Sequence, residues 1–320
     1  MKKVLIIFGG NSYEHEISCM SVNFIKDNID NKLFDYTIVG IDYDNIWYEI
    51  NNNIKIDMNW KNNIILEIDN IINYIKKFNI IFPIVHGNIG EDGKLQNLFE
   101  LYNMKFVGCN SFSSIISYDK LLTKLILEKN NIPQVPYLKY NSKLNLNSIK
   151  YPVIIKPCKC GSSIGISIAN NNKQLKQGIK LAKKYDKNVL IEKYLTNKRE
   201  LECAILKKKN KLIVSNVGEI MNNGTFYSFN SKYKSNTKTS ISNIDTLIKN
   251  QIKRYAKDIF KILECSSMAR LDFFYDLNDK RLYFNEINTV PGFTENSMYP
   301  ILIKKSGINY KKLITILLSH

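Results

Sequence analysis

Five consecutive apolar residues, Val4-Leu5-Ile6-Ile7-Phe8, run into Gly9-Gly10 near the start of the chain. A run this short, bounded by glycines, fits a strand buried on both faces that enters a tight turn. It is too short for a membrane span or for the apolar centre of a signal peptide. A helical spacing follows, with Ile17, Met20, Phe24 and Ile25 on one face, and Tyr36 to Ile41 and Ile80 to Val85 read as further strands. Strands alternating with amphipathic segments predict a parallel sheet in an α/β unit spanning 1–108.

The pattern then changes. Asp119 to Asn130 reads as a helix stopped by Pro133, and Val153 to Lys156, Ile166 to Ala169 and Val189 to Lys193 read as strands around a glycine-containing loop. This predicts a small α+β unit over 109–191. In 192–320, strands at Leu201 to Leu206, Leu212 to Val214, Met268 to Tyr275 and Leu282 to Ile287 surround a helix from Asp245 to Leu263. Between them, 221–240 is polar, aromatic-spiked and aperiodic, which predicts a loop long enough to be functional.

The 46 basic and 29 acidic residues leave a formal charge of +17, which raises the question of nucleic acid or an anionic membrane. The excess is spread along the chain, as in Asn51-Asn52-Asn53 and Lys207-Lys208-Lys209-Asn210, which fits an AT-rich genome better than a binding patch. There is no helix-turn-helix, zinc-finger or RRM signature and no run of 18 apolar residues, so neither nucleic acid nor membrane is expected as a partner. The six cysteines are scattered, with none at Cys-x-x-Cys or zinc spacing, and read as reduced thiols of a cytoplasmic protein. Cys158 and Cys160 flank Lys159 in a loop, where they are open to redox chemistry or are simply small residues.

The strongest chemical signal lies near the C-terminus. Strand alternation puts Arg270 and Asp272 on one face of one strand, and Glu286 and Asn288 on one face of the next. Two carboxylates and an amide oxygen suit Mg²⁺ that keeps sites for water and phosphate. Alternation alone fits a solvated hairpin equally well; the turn Pro291-Gly292-Phe293-Thr294, which brings backbone near the carboxylates, favours a site. Lys156-Pro157-Cys158-Lys159-Cys160-Gly161-Ser162-Ser163-Ile164-Gly165 lies between two strands and could present N–H groups, hydroxyls and a lysine to phosphate. It matches neither the Walker nor the dinucleotide pattern. Glu192-Lys193-Tyr194-Leu195, followed by Glu200, could take a purine edge and ribose hydroxyls, or be an ordinary charged turn.

In order and spacing these blocks resemble the ATP-grasp superfamily, and within it the D-alanine–D-alanine ligases. The resemblance covers nearly the whole chain: Gly9 to Ser18, His86-Gly87-Asn88-Ile89-Gly90-Glu91-Asp92-Gly93, Asp119-Lys120, Lys156-Pro157, Gly161 to Gly165, Gly224-Thr225-Phe226-Tyr227, Lys232-Tyr233, Arg270-Leu271-Asp272 and Glu286 to Gly292. It implies an ATP-grasp fold behind an N-terminal Rossmann-like α/β domain, and a bacterial cytoplasmic homodimer that joins two D-alanine molecules for peptidoglycan.

By resemblance, Lys120, Lys156 and Lys232 would hold ATP phosphates. Glu192, Lys193, Tyr194, Leu195 and Phe226 would hold adenine, and Glu200 the ribose. Asp272, Glu286 and Asn288 would bind two Mg²⁺ (or Mn²⁺) ions. Glu14 would receive the ammonium of the first D-alanine, with His86 nearby; Ser297, Met298 and the turn at Gly292 would address the second. Arg270 would stabilise charge on the acyl phosphate, and Tyr233 would join Glu14 and Ser162 in a hydrogen-bonded chain. Related D-alanyl-D-lactate makers resemble this family but carry histidine in place of Tyr233, so the neutral phenol points to D-alanine as acceptor. The chain departs from the family pattern at Asn230-Ser231, in 234–243, and by one extra residue between Leu195 and Glu200.

Overall fold

The computed structural model describes residues 1–220 and 239–319. In the first unit, β1 (Lys2–Gly9), β2 (Phe34–Ile41), β3 (Trp47–Ile50), β4 (Ile64–Glu67) and β5 (Ile80–Pro83) form one sheet in the order β4-β3-β2-β1-β5. The apolar run behaves as its composition requires. β1 is an interior strand, parallel to both β2 and β5, and Val4 to Phe8 are wholly buried. Val4, Ile6 and Phe8 share a core with Val22 and Ile25 of the helix His15–Asn28. Leu5 and Ile7 pack from the other face with Ile75, Leu95 and Phe99.

Two expectations need correction. β3 and β4 run antiparallel, so the sheet is mixed. Met20 is 44% exposed, and Cys19 and Val22 point inward on that helix instead. The last two helices, Met298–Lys305 and Tyr310–Leu318, return to this unit, because Tyr299, Leu302, Leu313 and Leu317 share the core of Val4 and Ile6.

β6 (Tyr137–Lys139), β7 (Val153–Pro157), β8 (Ser167–Ala169) and β9 (Val189–Lys193) form an antiparallel sheet in the order β6-β9-β7-β8. Helix Asn172–Ala182 covers one face through Leu175, Ile179 and Ala182. Helix Lys120–Lys129 meets the other through Leu121, beside Cys158 and Leu190. Asp119 caps that helix by accepting from the N–H groups of Leu121 and Leu122, the expected role for an acidic residue there.

The third sheet contains β10 (Lys198–Lys208), β11 (Lys211–Val214), β12 (Gly218–Ile220), β13 (Thr239–Ile241), β14 (Met268–Asp276) and β15 (Arg281–Asn288). Its order is β13-β12-β10-β14-β15, with β11 on β10. Leu201, Cys203, Leu271 and Phe273 pack on helix Thr246–Ile262 through Ile252, Ala256 and Ile259. Period-two alternation therefore turns Glu200, Glu202, Arg270 and Asp272 to the opposite face. That face meets the second sheet, where Lys156 Nζ lies 3.3 Å from Asn285 Oδ1; at the β15 edge, the Phe284 N–H donates to the Pro133 carbonyl at 2.8 Å. The active-site candidates lie along this junction.

Candidate active site

At one end, the turn after β1 brings Glu14 to the N-cap position of helix His15–Asn28. Its N–H donates to Ser12 Oγ at 3.1 Å, and that hydroxyl donates to the His86 carbonyl at 2.7 Å. Ser162 donates its hydroxyl to Glu14 Oε1. Glycine is needed on both flanking loops: a Cβ on Gly161 would lie 2.8 Å from Glu14 Oε2, and one on Gly87 3.0 Å away. The loops are also conformationally unusual, since Ile89, Ser162 and Ser163 have φ of 62°, 52° and 61°. Non-glycine residues rarely adopt this region, and such outliers cluster at functional sites.

His86 is near Glu14 but spends its ring elsewhere. Nδ1 donates to the Val290 carbonyl at 3.0 Å, which leaves Nε2 to accept from Ser21 Oγ at 3.1 Å. Ser21 in turn accepts from the Phe293 N–H at 3.3 Å. Desolvation holds the imidazole below its ordinary pKa, against the opposing charge of Glu14. His86 is thus a buried neutral tie between the Glu14 region and the turn through Gly292.

That turn is built as tightly. A Cβ on Gly292 would lie 2.9 Å from Ser297 Oγ, which accepts from the Thr294 N–H at 3.0 Å. Met298 is buried, and its sulfur sits where a Cβ on Gly218 would come within 2.8 Å, so its side chain serves the core.

Across the cleft, Lys120 Nζ donates to the Cys160 carbonyl at 2.7 Å, pinning the glycine-serine loop, and lies 3.8 Å from Glu286 Oε2. Glu192 is clamped between Lys124 Nζ at 2.7 Å and Lys156 Nζ at 2.5 Å. The backbone N–H groups of Lys193 and Tyr194 already donate to the Pro136 and Pro152 carbonyls, so these two N–H groups are not open to a purine edge. Leu195 is buried, and Glu200 pairs with Lys198 at 3.5 Å.

On β14 and β15, Asp272 stands opposite Glu286 and Arg270 opposite Asn288. Arg270 donates twice to Asp272, both at 2.8 Å, and its Nε lies 3.1 Å from Glu202 Oε2. Asn288 Nδ2 is 3.3 Å from Asp272 Oδ2. The three proposed metal ligands are therefore neighbours. Two carboxylates and an amide, with no thiol or imidazole among them, fit a hard cation such as Mg²⁺. Phe226, Lys232 and Tyr233 lie outside the described residues.

Sequence reasoning gave no role to three charged residues at this site. Glu202 backs Arg270, and Lys124 backs Glu192. Glu91 is held well above the usual carboxylate range, by desolvation first and by the charge of Glu14 second. The Glu202 signal was available, because Glu200 and Glu202 share a strand face, and so was that of Lys124, one helical turn after Lys120. Cys158 is buried, and desolvation pushes its thiol up to about 12, so it is not a reactive thiol.

Comparison with known proteins shows the family. The D-ala D-ala ligase N-terminus matches residues 3–109, and the D-ala D-ala ligase C-terminus matches residues 126–319. The D-alanine--D-alanine ligase of Acetivibrio thermocellus is 39% identical, covering 98% of this chain and 94% of its own. That of Wigglesworthia glossinidia brevipalpis is 40% identical, over 98% and 96%. Among solved structures, the VanG D-Ala:D-Ser ligase from Enterococcus faecalis superposes with a TM-score of 0.86 at 31% identity, over 99% of this chain and 98% of its own. The D-alanine--D-alanine ligase from Bacillus anthracis complexed with ATP gives 0.78 at 25% identity, over 100% and 97%. Two antiparallel sheets facing each other across a cleft of lysines and carboxylates, behind an N-terminal α/β layer, define an ATP-grasp protein. Within that class, the chain belongs to the D-alanine–D-alanine ligase family.

Proposed function

We propose that this chain joins two D-alanine molecules at the expense of ATP. The carboxylate of the first attacks the γ-phosphate, giving an acyl phosphate and ADP; the amine of the second attacks that carbonyl and expels phosphate. The observation that carries this reading is the meeting of three groups at one junction: the Glu14–Ser162 pair, the lysines Lys120 and Lys156, and the Asp272–Glu286–Asn288 set.

Glu14 and Ser162 receive the ammonium of the first D-alanine, and His86 holds their loop against the Gly292 turn. Lys120 and Lys156 meet phosphate oxygens, while Glu192 to Leu195 take adenine and Glu200 the ribose. Asp272, Glu286 and Asn288 would hold Mg²⁺ (or Mn²⁺), which supplies charge neutralisation for the phosphates. Arg270, held by Asp272 and Glu202, faces the negative charge that develops as the acyl phosphate is attacked. Ser297 and the Gly292 turn address the acceptor, with Met298 supporting them from the core. Phe226, Lys232 and Tyr233 complete this reading from sequence alone. Catalysis is then mostly positioning and charge neutralisation.

Phosphate release in the presence of ATP, Mg²⁺ and single amino acids tests it. Release should require D-alanine, and none above background would reject the reading. The likeness to the VanG D-Ala:D-Ser ligase supports a second reading in which the acceptor is another small D-amino acid, such as D-serine. Competition among D-alanine, D-serine and D-lactate as acceptors separates the two; Tyr233 predicts the D-alanyl-D-alanine product, and Tyr233→His a shift toward the ester with D-lactate. Among the described residues no helix is long and apolar enough to cross a membrane. Cytoplasmic residence and a homodimer belong to the same proposal, and light scattering on the purified chain checks the dimer.

A further inference from the structure

Helix Lys120–Lys129 carries two inward-facing lysines, Lys120 and Lys124, one turn apart. Lys120 reaches the glycine-serine loop and Glu286, and its role is that of a phosphate contact. Lys124 has no such role. Its side chain is 3% exposed and its Nζ lies 2.7 Å from Glu192 Oε1, a carboxylate only 2% exposed. The other oxygen, Oε2, is held by Lys156 at 2.5 Å. The Tyr137 ring lies beneath the Lys124 ammonium, 5.0 Å from Nζ, and Tyr137 donates its hydroxyl to Glu128 Oε2 at 2.7 Å.

A second buried lysine is hard to explain as stability alone. One cation already neutralises Glu192, and desolvating another charge is costly. Burial pushes the Glu192 carboxyl up, yet the charges of Lys124 and Lys156 hold it down at about 2. Lys156 also reaches Asn285 at 3.3 Å across the sheet junction, so it is shared between two partners.

We propose that Lys124 is a positioning residue for the nucleotide: it anchors Glu192 Oε1, so that Lys156 can leave Oε2 for bound ATP without stranding a buried carboxylate. The inference rests on the proposed function, in which Lys156 and Glu192 hold ATP. It makes Lys124 the resident counter-charge and Lys156 the exchangeable one.

Calorimetric binding of a non-hydrolysable ATP analogue with Mg²⁺, in the absence of D-alanine, reads this directly. Lys124→Met should weaken binding by roughly tenfold or more, as expected when one partner of a buried charge pair is removed. The KM for D-alanine should stay within about twofold, and Lys124→Arg should recover most of the nucleotide affinity. Should Lys124→Met fold poorly, the double variant Lys124→Met/Glu192→Gln removes the stranded charge. It should bind the analogue as weakly as Glu192→Gln alone, because Lys124 then has nothing to position. Unchanged affinity in Lys124→Met, or an additional loss in the double variant, would overturn the proposal. Native protein that binds no analogue would overturn the ATP reading itself. Native binding with an insensitive Lys124 would reject only the positioning role of that lysine.

Discussion

Ser162 donates its hydroxyl to the Glu14 carboxylate across 148 residues of sequence, tying the glycine-serine loop to the turn after the first strand. Glu14 Oε2 is hemmed by Gly87 and Gly161, where a Cβ would come within 3.0 and 2.8 Å of it. Ser162→Ala should raise the KM for the first D-alanine roughly tenfold, the loss expected for one hydrogen bond to a charged group. Nucleotide affinity should be unchanged. Phosphate-release kinetics and calorimetry measure the two separately, and a parallel loss of both would contradict this assignment.

Two buried histidines set an acid limit on stability. His15 Nδ1 donates to the Gly10 carbonyl at 2.8 Å and Nε2 accepts from Trp60 Nε1 at 3.1 Å, so the fold requires the neutral ring. Desolvation holds both His15 and His86 below their ordinary value of 6.5. As pH falls through that value, the unfolded chain takes up protons that the folded chain refuses. Their contribution is therefore full above about pH 6.5 and is lost below it. Glu91 runs the other way, because its raised pKa makes folding gain as pH falls. Urea titrations between pH 8 and 5, compared with His15→Gln, isolate the histidine part: the variant should be less stable at pH 8 and show a shallower loss toward pH 5.

The sequence reading reached furthest where local pattern and tertiary role agree. Val189 to Lys193 and the helix stopped before Pro133 stand where their periodicity placed them, and the alternation of Arg270 with Asp272 put both on the cleft face. It failed where tertiary pairing decides. Trp47–Ile50 and Ile64–Glu67 are four residues each, too short to show a period, and the latter is exposed throughout. Lys124 and Glu202 were given no role, because only the partners brought in from other elements make their burial tolerable. Met20 fell on the expected apolar stripe, but the helix turns Cys19 and Val22 inward and leaves it in solvent.

Glu286 faces Asp272 on one side and Lys120 on the other. Glu286→Gln should raise the Mg²⁺ concentration needed for activity and reduce turnover by roughly tenfold or more. Mg²⁺ titration of phosphate release checks it; a native metal dependence would remove Glu286 from the ligand set.

Arg199 joins β10 to the strands flanking residues 221–238. It donates to Glu219 at 2.7 and 2.5 Å, to Ser242 at 3.1 Å and to Asn243 at 2.7 Å. Arg199→Met would strand a largely buried Glu219, and partial exposure of the arginine moderates the loss to about 1–3 kcal/mol. The urea midpoint should fall accordingly, and an unchanged midpoint would show that the network carries little net stability.

The central claim is that a D-alanine carboxylate oxygen becomes bonded to phosphorus. With carboxylate-¹⁸O-labelled D-alanine, ATP and Mg²⁺, that oxygen must leave with phosphate when the second amine attacks the carbonyl. Mass spectrometry of the released phosphate should therefore find one ¹⁸O atom per phosphate, in proportion to dipeptide formed. Unlabelled phosphate accompanying dipeptide would show that no acyl phosphate forms and would contradict the mechanism.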